Sequence, residues 1–157
     1  MHPLLEQYWK KEQQELPGIN CIVYPDGKVT IMRHSYIYDP NTNKREIHCS
    51  PQCDTTLDSL EQYDASYWTV VDEWTSVDYQ GGKILGGDGA MGNEGFLACT
   101  NDKGEFVWGM FFENTNPLKP KEIKDDILIV INEHDELCLE INLKNLIEIK
   151  IAVLKQY

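Results

Sequence analysis

Ile127-Leu128-Ile129-Val130-Ile131-Asn132-Glu133-His134-Asp135-Glu136-Leu137-Cys138-Leu139-Glu140-Ile141-Asn142 is a pair of apolar runs parted by five polar residues. The first run is far shorter than the roughly 20 apolar residues a membrane span needs, so it is expected as a buried strand. The second alternates, with Leu137, Leu139 and Ile141 on one side and Cys138 and Glu140 on the other, as a strand with one buried face does. A third strand is expected over 146–153, after a short link at 143–145. A parallel pair needs a crossover of about a dozen residues or more, usually a helix. These links are too short for one, so the C-terminal third predicts antiparallel pairing.

Working towards the N-terminus, the same pattern recurs. Residues 96–100 and 105–113 flank Asn101-Asp102-Lys103-Gly104, a hairpin signature, and 114–120 reads as a loop. Residues 67–79 are rich in aromatic and β-branched side chains and predict a strand. Residues 54–63 suit a short helix with Leu57 and Leu60 inward. Residues 19–24 and 28–38 flank Pro25-Asp26-Gly27 and predict another hairpin, followed by a turn at 39–43 and a short strand over 45–49. At the N-terminus Leu4, Leu5, Tyr8, Trp9 and Leu16 recur at helical spacing, Pro3 suits a first helical position, and Pro17-Gly18 ends the element. The expectation is one α+β domain over 1–157, mainly antiparallel β-sheet, with an N-terminal helix over 3–16 packed on one face.

The chain has 157 residues and a formal net charge of −12. The acidity is concentrated. Residues 54–105 carry 11 Asp and Glu against only Lys83 and Lys103, a net of −9. Such a field repels nucleic acid, whose binding rests on cationic neutralisation of phosphate, and attracts basic proteins. A solvated acidic surface that serves solubility is the plainer alternative. The N-terminus has no basic region followed by an apolar core, so a cytoplasmic location is expected. With that, Cys21, Cys49, Cys53, Cys99 and Cys138 are expected as reduced thiols.

Seven glycines fall within residues 81–95. A phosphate loop needs a Lys-Ser/Thr pair after its last glycine, whereas Phe96 follows Gly95. A dinucleotide fingerprint must open a helix. An exposed loop or bulge between strands is expected instead. Asp88, Asn93 and Glu94 lack the spacing of a calcium loop. His48, Cys49 and Cys53 fall short of the four clustered ligands of structural zinc. His2, His34, His48 and His134 stand in no pattern that sets a nucleophile beside an oriented base. No cofactor, no metal and no catalytic group is expected.

The segment with the strongest binding character is Tyr67-Trp68-Thr69-Val70-Val71-Asp72-Glu73-Trp74-Thr75-Ser76-Val77-Asp78-Tyr79. As a strand it places Trp68, Val70, Asp72, Trp74, Ser76 and Asp78 on one face, and Val71, Glu73, Val77 and Tyr79 on the other. Aromatics with carboxylates suit a protein interface. For each tryptophan a core position is the simpler alternative, yet the acids must be wet or paired. The expected contact surface is Asp72, Glu73, Trp74, Asp78 and Tyr79, with Asp88 and Glu94.

Gly92-Asn93-Glu94-Gly95-Phe96-Leu97-Ala98-Cys99, followed by Lys103-Gly104-Glu105-Phe106-Val107-Trp108-Gly109-Met110-Phe111-Phe112-Glu113-Asn114-Thr115-Asn116-Pro117, resembles small immunity proteins of bacterial polymorphic and contact-dependent growth inhibition toxin systems. The resemblance covers about a sixth of the chain. It implies a cytoplasmic, non-enzymatic inhibitor whose partner is the cognate toxin's C-terminal domain, often a nuclease; the acidic charge and the short apolar runs separately argue for a basic protein partner and for no nucleic acid and no membrane. Glu113, Asn114 and Asn116 fall on the motif and are expected to shape a turn after the strand. The alternative is a small ligand-binding domain or enzyme using the glycine-rich loop 86–95.

Overall fold

The computed structural model describes residues 1–64 and 66–155. Helix α1 (Pro3–Tyr8) starts with Pro3 in its first turn, and His2 Nδ1 accepts the Leu4 N–H at 3.1 Å. It stops after six residues. The chain reverses through 10–13, where the Lys10 N–H donates to the Gln13 carbonyl at 3.1 Å, and strand β1 (Gln14–Pro17) begins. The expected helix over 3–16 is therefore corrected. Residues 10–13 offer no apolar side chain to a buried helical face, and Leu16 reaches the interior from a strand instead.

Strands β2 (Cys21–Val23) and β3 (Lys28–Asp39) form the first hairpin. At its turn Gly27 has φ +89°, and a Cβ there would stand 2.3 Å from the His2 ring. Strand β4 (Lys44–Thr56) pairs with β3 from Lys28↔Thr56 to Asp39↔Lys44, with a bulge after Ile31. The short strand expected at 45–49 is thus the start of one that runs to Thr56. That residue caps helix α2 (Leu57–Tyr63), its Oγ1 accepting the Ser59 N–H at 3.1 Å.

Strands β5 (Trp68–Tyr79), β6 (Gly82–Gly89), β7 (Gly95–Thr100) and β8 (Phe106–Phe112) follow as antiparallel neighbours. The glycine-rich stretch expected as an exposed loop is mostly β6, a strand paired on both sides; Gly81 and 90–94 lie in the turns at its two ends. The smaller sheet comprises β9 (Leu118–Lys124), β10 (Ile127–Asn132), β11 (Leu137–Asn142) and β12 (Ile149–Val153). Strand β9 occupies part of the expected loop 114–120. Its Pro120 sits at a register shift on the sheet's edge, where a missing N–H is tolerated. Strand β12 begins later than the expected 146.

The larger sheet runs β1-β5-β6-β7-β8-β2-β3-β4 and the smaller β12-β11-β10-β9. Between them Ile84, Leu97, Met110 and Phe112 meet Leu118, Leu128, Leu139 and Ile141. The opposite face of the larger sheet encloses a second core of Leu5, Leu16, Val23, Leu57, Phe96 and Phe111. The sheet curls around it. Three strands separate β1 from β8 in the sheet order, yet a Cβ on Gly109 of β8 would lie 2.9 Å from Leu16 Cδ2 of β1. The fold is mostly antiparallel sheet with short helices. No helix among the described residues is long and apolar enough to cross a membrane.

Candidate functional site

Strand β5 does not alternate as its sequence suggests. Glu73 pairs with Gly87 and Thr75 with Gly86, so Trp74 is an extra residue at a β-bulge. Gly87 makes room for it: a Cβ there would stand 1.9 Å from the Asp72 carbonyl and 2.9 Å from Trp74 Cδ1. The bulge leaves Asp72, Glu73 and Trp74 exposed in succession, with Trp74 44% accessible.

The bulge also reverses the faces beyond it. Asp72 lies opposite Asp88, on the β6 face that carries Ile84, whereas Asp78 lies opposite Lys83, on the face that carries Leu85. Ile84 belongs to the core between the sheets and Leu85 to the core inside the curl. Asp72 and Asp78, expected on one face, therefore point to opposite sides. They are also six residues apart, about 20 Å at a rise of ~3.3 Å per residue. Tyr79 is half-buried and packs against the core between the sheets; burial, with Cys99 and Asp126 nearby, raises its phenol pKa above 10. Trp68 is packed rather than presented: its ring stacks on Tyr8 at 4.1 Å and its Nε1 donates to Glu61 at 3.1 Å.

The other members come together at one end of β5 and β6. Asp88 is the cross-strand neighbour of Asp72, and its half-buried carboxyl keeps Oδ1 sealed from solvent without a hydrogen-bond partner among the described residues. Glu94 folds back over the turn, its Oε1 accepting the Met91 N–H at 3.2 Å and lying 2.5 Å from where a Gly89 Cβ would stand. The ion pairs among the described residues involve Asp26, Glu46, Asp58, Asp126 and Glu133, and none of Asp72, Glu73, Asp88 or Glu94. Carboxylates facing one another across a strand pair repel. An arrangement that costs stability in the free chain is relieved by a cation supplied from outside.

The histidines are occupied in structural roles or exposed. His2 Nε2 lies 3.1 Å from Asp58, and His48 Nε2 lies 3.1 Å from Glu46. His34 is half-buried against Phe112, ring centroids 5.2 Å apart, and burial lowers its pKa. Its cross-strand neighbour Cys49 has a thiol pushed up to about 12 by burial, the opposite of what a thiolate nucleophile requires. All five cysteines are free, and the described residues contain no cluster of three or more His, Cys, Asp or Glu able to hold a metal.

A second concavity lay outside the sequence reading. The β3–β4 ribbon extends past the sheets, and a cleft of about 280 Å³ opens between its Tyr36, Tyr38 and Ile47, the 114–116 turn, and Glu136, Leu137 and Val153 of the smaller sheet. Asn114 (φ 61°) and Asn116 (φ 62°) take left-handed backbone, so the motif asparagines do shape the turn after β8. Buried Asn132 fixes this turn to the smaller sheet: its Nδ2 donates to the Thr115 carbonyl at 2.8 Å, and its Oδ1 accepts the N–H groups of Glu136 and Leu137. On its other side the turn is tied to the acidic patch, with the Asn116 N–H donating to the Asn93 carbonyl at 2.9 Å and Asn93 Nδ2 to Asn114 Oδ1 at 3.3 Å. The available signal was Tyr36-Ile37-Tyr38, three bulky residues just before a polar turn. Compared with protein-family models, with curated proteins and with solved structures, the chain has no match.

Proposed function

We propose that this chain is a non-catalytic, cytoplasmic immunity protein that captures a basic toxin domain, a nuclease by preference, and covers its active site or substrate surface. The observation that carries this reading is the bulge in β5. It presents Trp74 beside Asp72 and Glu73, with Asp88 opposite and none of the three carboxylates in an ion pair among the described residues. An accessible indole supplies contact area, and the carboxylates beside it supply charge complementarity and fast encounter. Nuclease domains hold their substrate on cationic surfaces, which this patch matches. The resemblance carried by 92–99 and 103–117 supports the same reading, since those residues build the turn beside the patch.

Recovery of the tagged chain from its native host should bring down a stoichiometric basic domain that high salt releases. With that domain purified, the double variant Asp72→Lys/Glu73→Lys should slow association at least tenfold and flatten its dependence on salt. Asp78→Lys, on the opposite face, should leave both unchanged. Equal effects from the two substitutions, or recovery of a bound nucleotide or metal with no protein partner, would overturn the proposal.

A further inference from the structure

The cleft between the β3–β4 ribbon and the smaller sheet has a chemical character of its own. Tyr36 (62% accessible), Ile37 (50%) and Tyr38 (55%) are successive exposed bulky residues on β3. Neighbours in a strand point to opposite faces, so exposed bulky side chains stand on both faces of the ribbon. Register places Tyr36 opposite Ile47 and Tyr38 opposite Arg45, so these four share the face whose Arg45 and Ile47 are half-buried. Tyr38 is held in place by a hydrogen bond from its hydroxyl to Asn43 Oδ1.

Arg45 itself lines the cleft, opposite Glu136 in charge, and it and the nearby Lys155 donate to backbone carbonyls. Arg45 Nη2 donates to the Lys155 carbonyl at 2.8 Å, and Lys155 Nζ donates to the His134 carbonyl at 2.6 Å. The carboxylates are not so engaged. Glu136 lines the cleft, Glu113 stands next to the 114–116 turn, and neither enters an ion pair among the described residues. Two tyrosine rings, an apolar floor of Ile47, Leu137 and Val153, and an unpaired carboxylate form a site for a flat cation with an aliphatic stem. Guanidinium groups favour aromatic faces over ammonium groups. At about 280 Å³ the cleft is just below the usual ~300–1,000 Å³ range of small-molecule sites, a scale suited to one long side chain.

We infer that this cleft receives an arginine side chain from an extended segment of a basic protein partner, with Tyr36 and Tyr38 stacking on the guanidinium and Glu136 pairing with it. The identity of that partner rests on the function proposed above. The arginine chemistry does not, and the 114–116 turn joins the two surfaces into one continuous face.

The test is an NMR titration of the ¹⁵N-labelled full chain with N-acetyl-arginine amide, and with N-acetyl-norleucine amide as the neutral control. The arginine compound should shift amides at 36–38, 114–116 and 136 with millimolar affinity. Glu136→Gln and Tyr38→Ala should each weaken it roughly two- to fivefold, and Asp72→Lys/Glu73→Lys should leave it unchanged. Absence of saturable shifts at these residues overturns the inference, as does equal binding of the norleucine compound, which would mean an apolar depression alone. Arginine binding in a chain that captures no basic protein would keep the cleft and remove the proposed function. A partner that binds the Glu136→Gln and Tyr38→Ala variants as tightly as the wild type would remove the cleft and keep the function.

Discussion

Gly86 and Gly92 carry the same letter for different reasons, and only one reason is visible in a sequence. Gly92 has φ +81° with open space where a Cβ would go, the conformational use of glycine that its neighbours in a turn suggest. Gly86 is ordinary strand, but a Cβ would stand 2.4 Å from Pro120 Cδ and 2.6 Å from the Leu118 carbonyl. It is glycine because β9 crosses there, and a strand more than thirty residues away leaves no trace beside it in the sequence. Gly86→Ala should therefore cost about 3 kcal/mol in urea unfolding, as overpacking against backbone does, while Gly92→Ala should cost about 1 kcal/mol. His34 offers a second test. Burial holds its folded pKa below 6.5, so well above 6.5 both folded and unfolded chains carry it neutral, and as pH falls through 6.5 towards the folded value the unfolded chain takes up the proton first. Its contribution to stability thus declines across that window. His34→Gln should lose less stability than the wild type between pH 7 and the folded value, measured as the difference between two denaturation series.

At the scale of elements, hairpins with polar turns were legible and elements defined by distant partners were not. The β2–β3 and β7–β8 hairpins and the strands β10 and β11 stand close to where local pattern puts them, because their pairing and their turns are written within the same twenty-odd residues. Strand β1 is different. Leu16 satisfies a helical period and a strand equally well, and what decides is Leu16↔Thr69, a pairing across more than fifty residues. Strand β9 was hidden by Pro117 and Pro120, since an edge position that tolerates proline is a property of the sheet. The site suffered the same way: Asp72 and Trp74 were identified as residues, but the bulge that separates them from Asp78 depends on Gly87. Hydrogen exchange measures this directly. Amides of Gly86 and Gly87 should be protected to near the global unfolding free energy, whereas a loop over 86–95 would leave them exchanging within seconds. Amides at the ribbon tip, 39–44, should exchange fast.

At the scale of the molecule, the short connections between strands correctly indicated a mostly antiparallel fold but said nothing about its having two interiors. One lies between the sheets and one within the curl of the larger sheet, and Phe111 and Phe112, adjacent in β8, each serve a different one. Charge is arranged on the same plan. Asp72 and Glu73 of β5 and Asp88 of β6 gather at the patch end, away from Asp78, and the cleft adjoins that end through the turn after β8. The curl has a further consequence, in time rather than in space. Strand β1 has its pairing partner at 68–71 and β2 has one of its partners at 109–111. During synthesis, at about 5–20 residues per second, roughly 5–20 seconds pass between the emergence of Val23 and that of Phe111. For that interval Leu5, Trp9, Leu16 and Val23 have no interior to enter, so the nascent chain is most open to chaperones and proteases at its N-terminus, and the last strand of the curl to be made is what shelters the first.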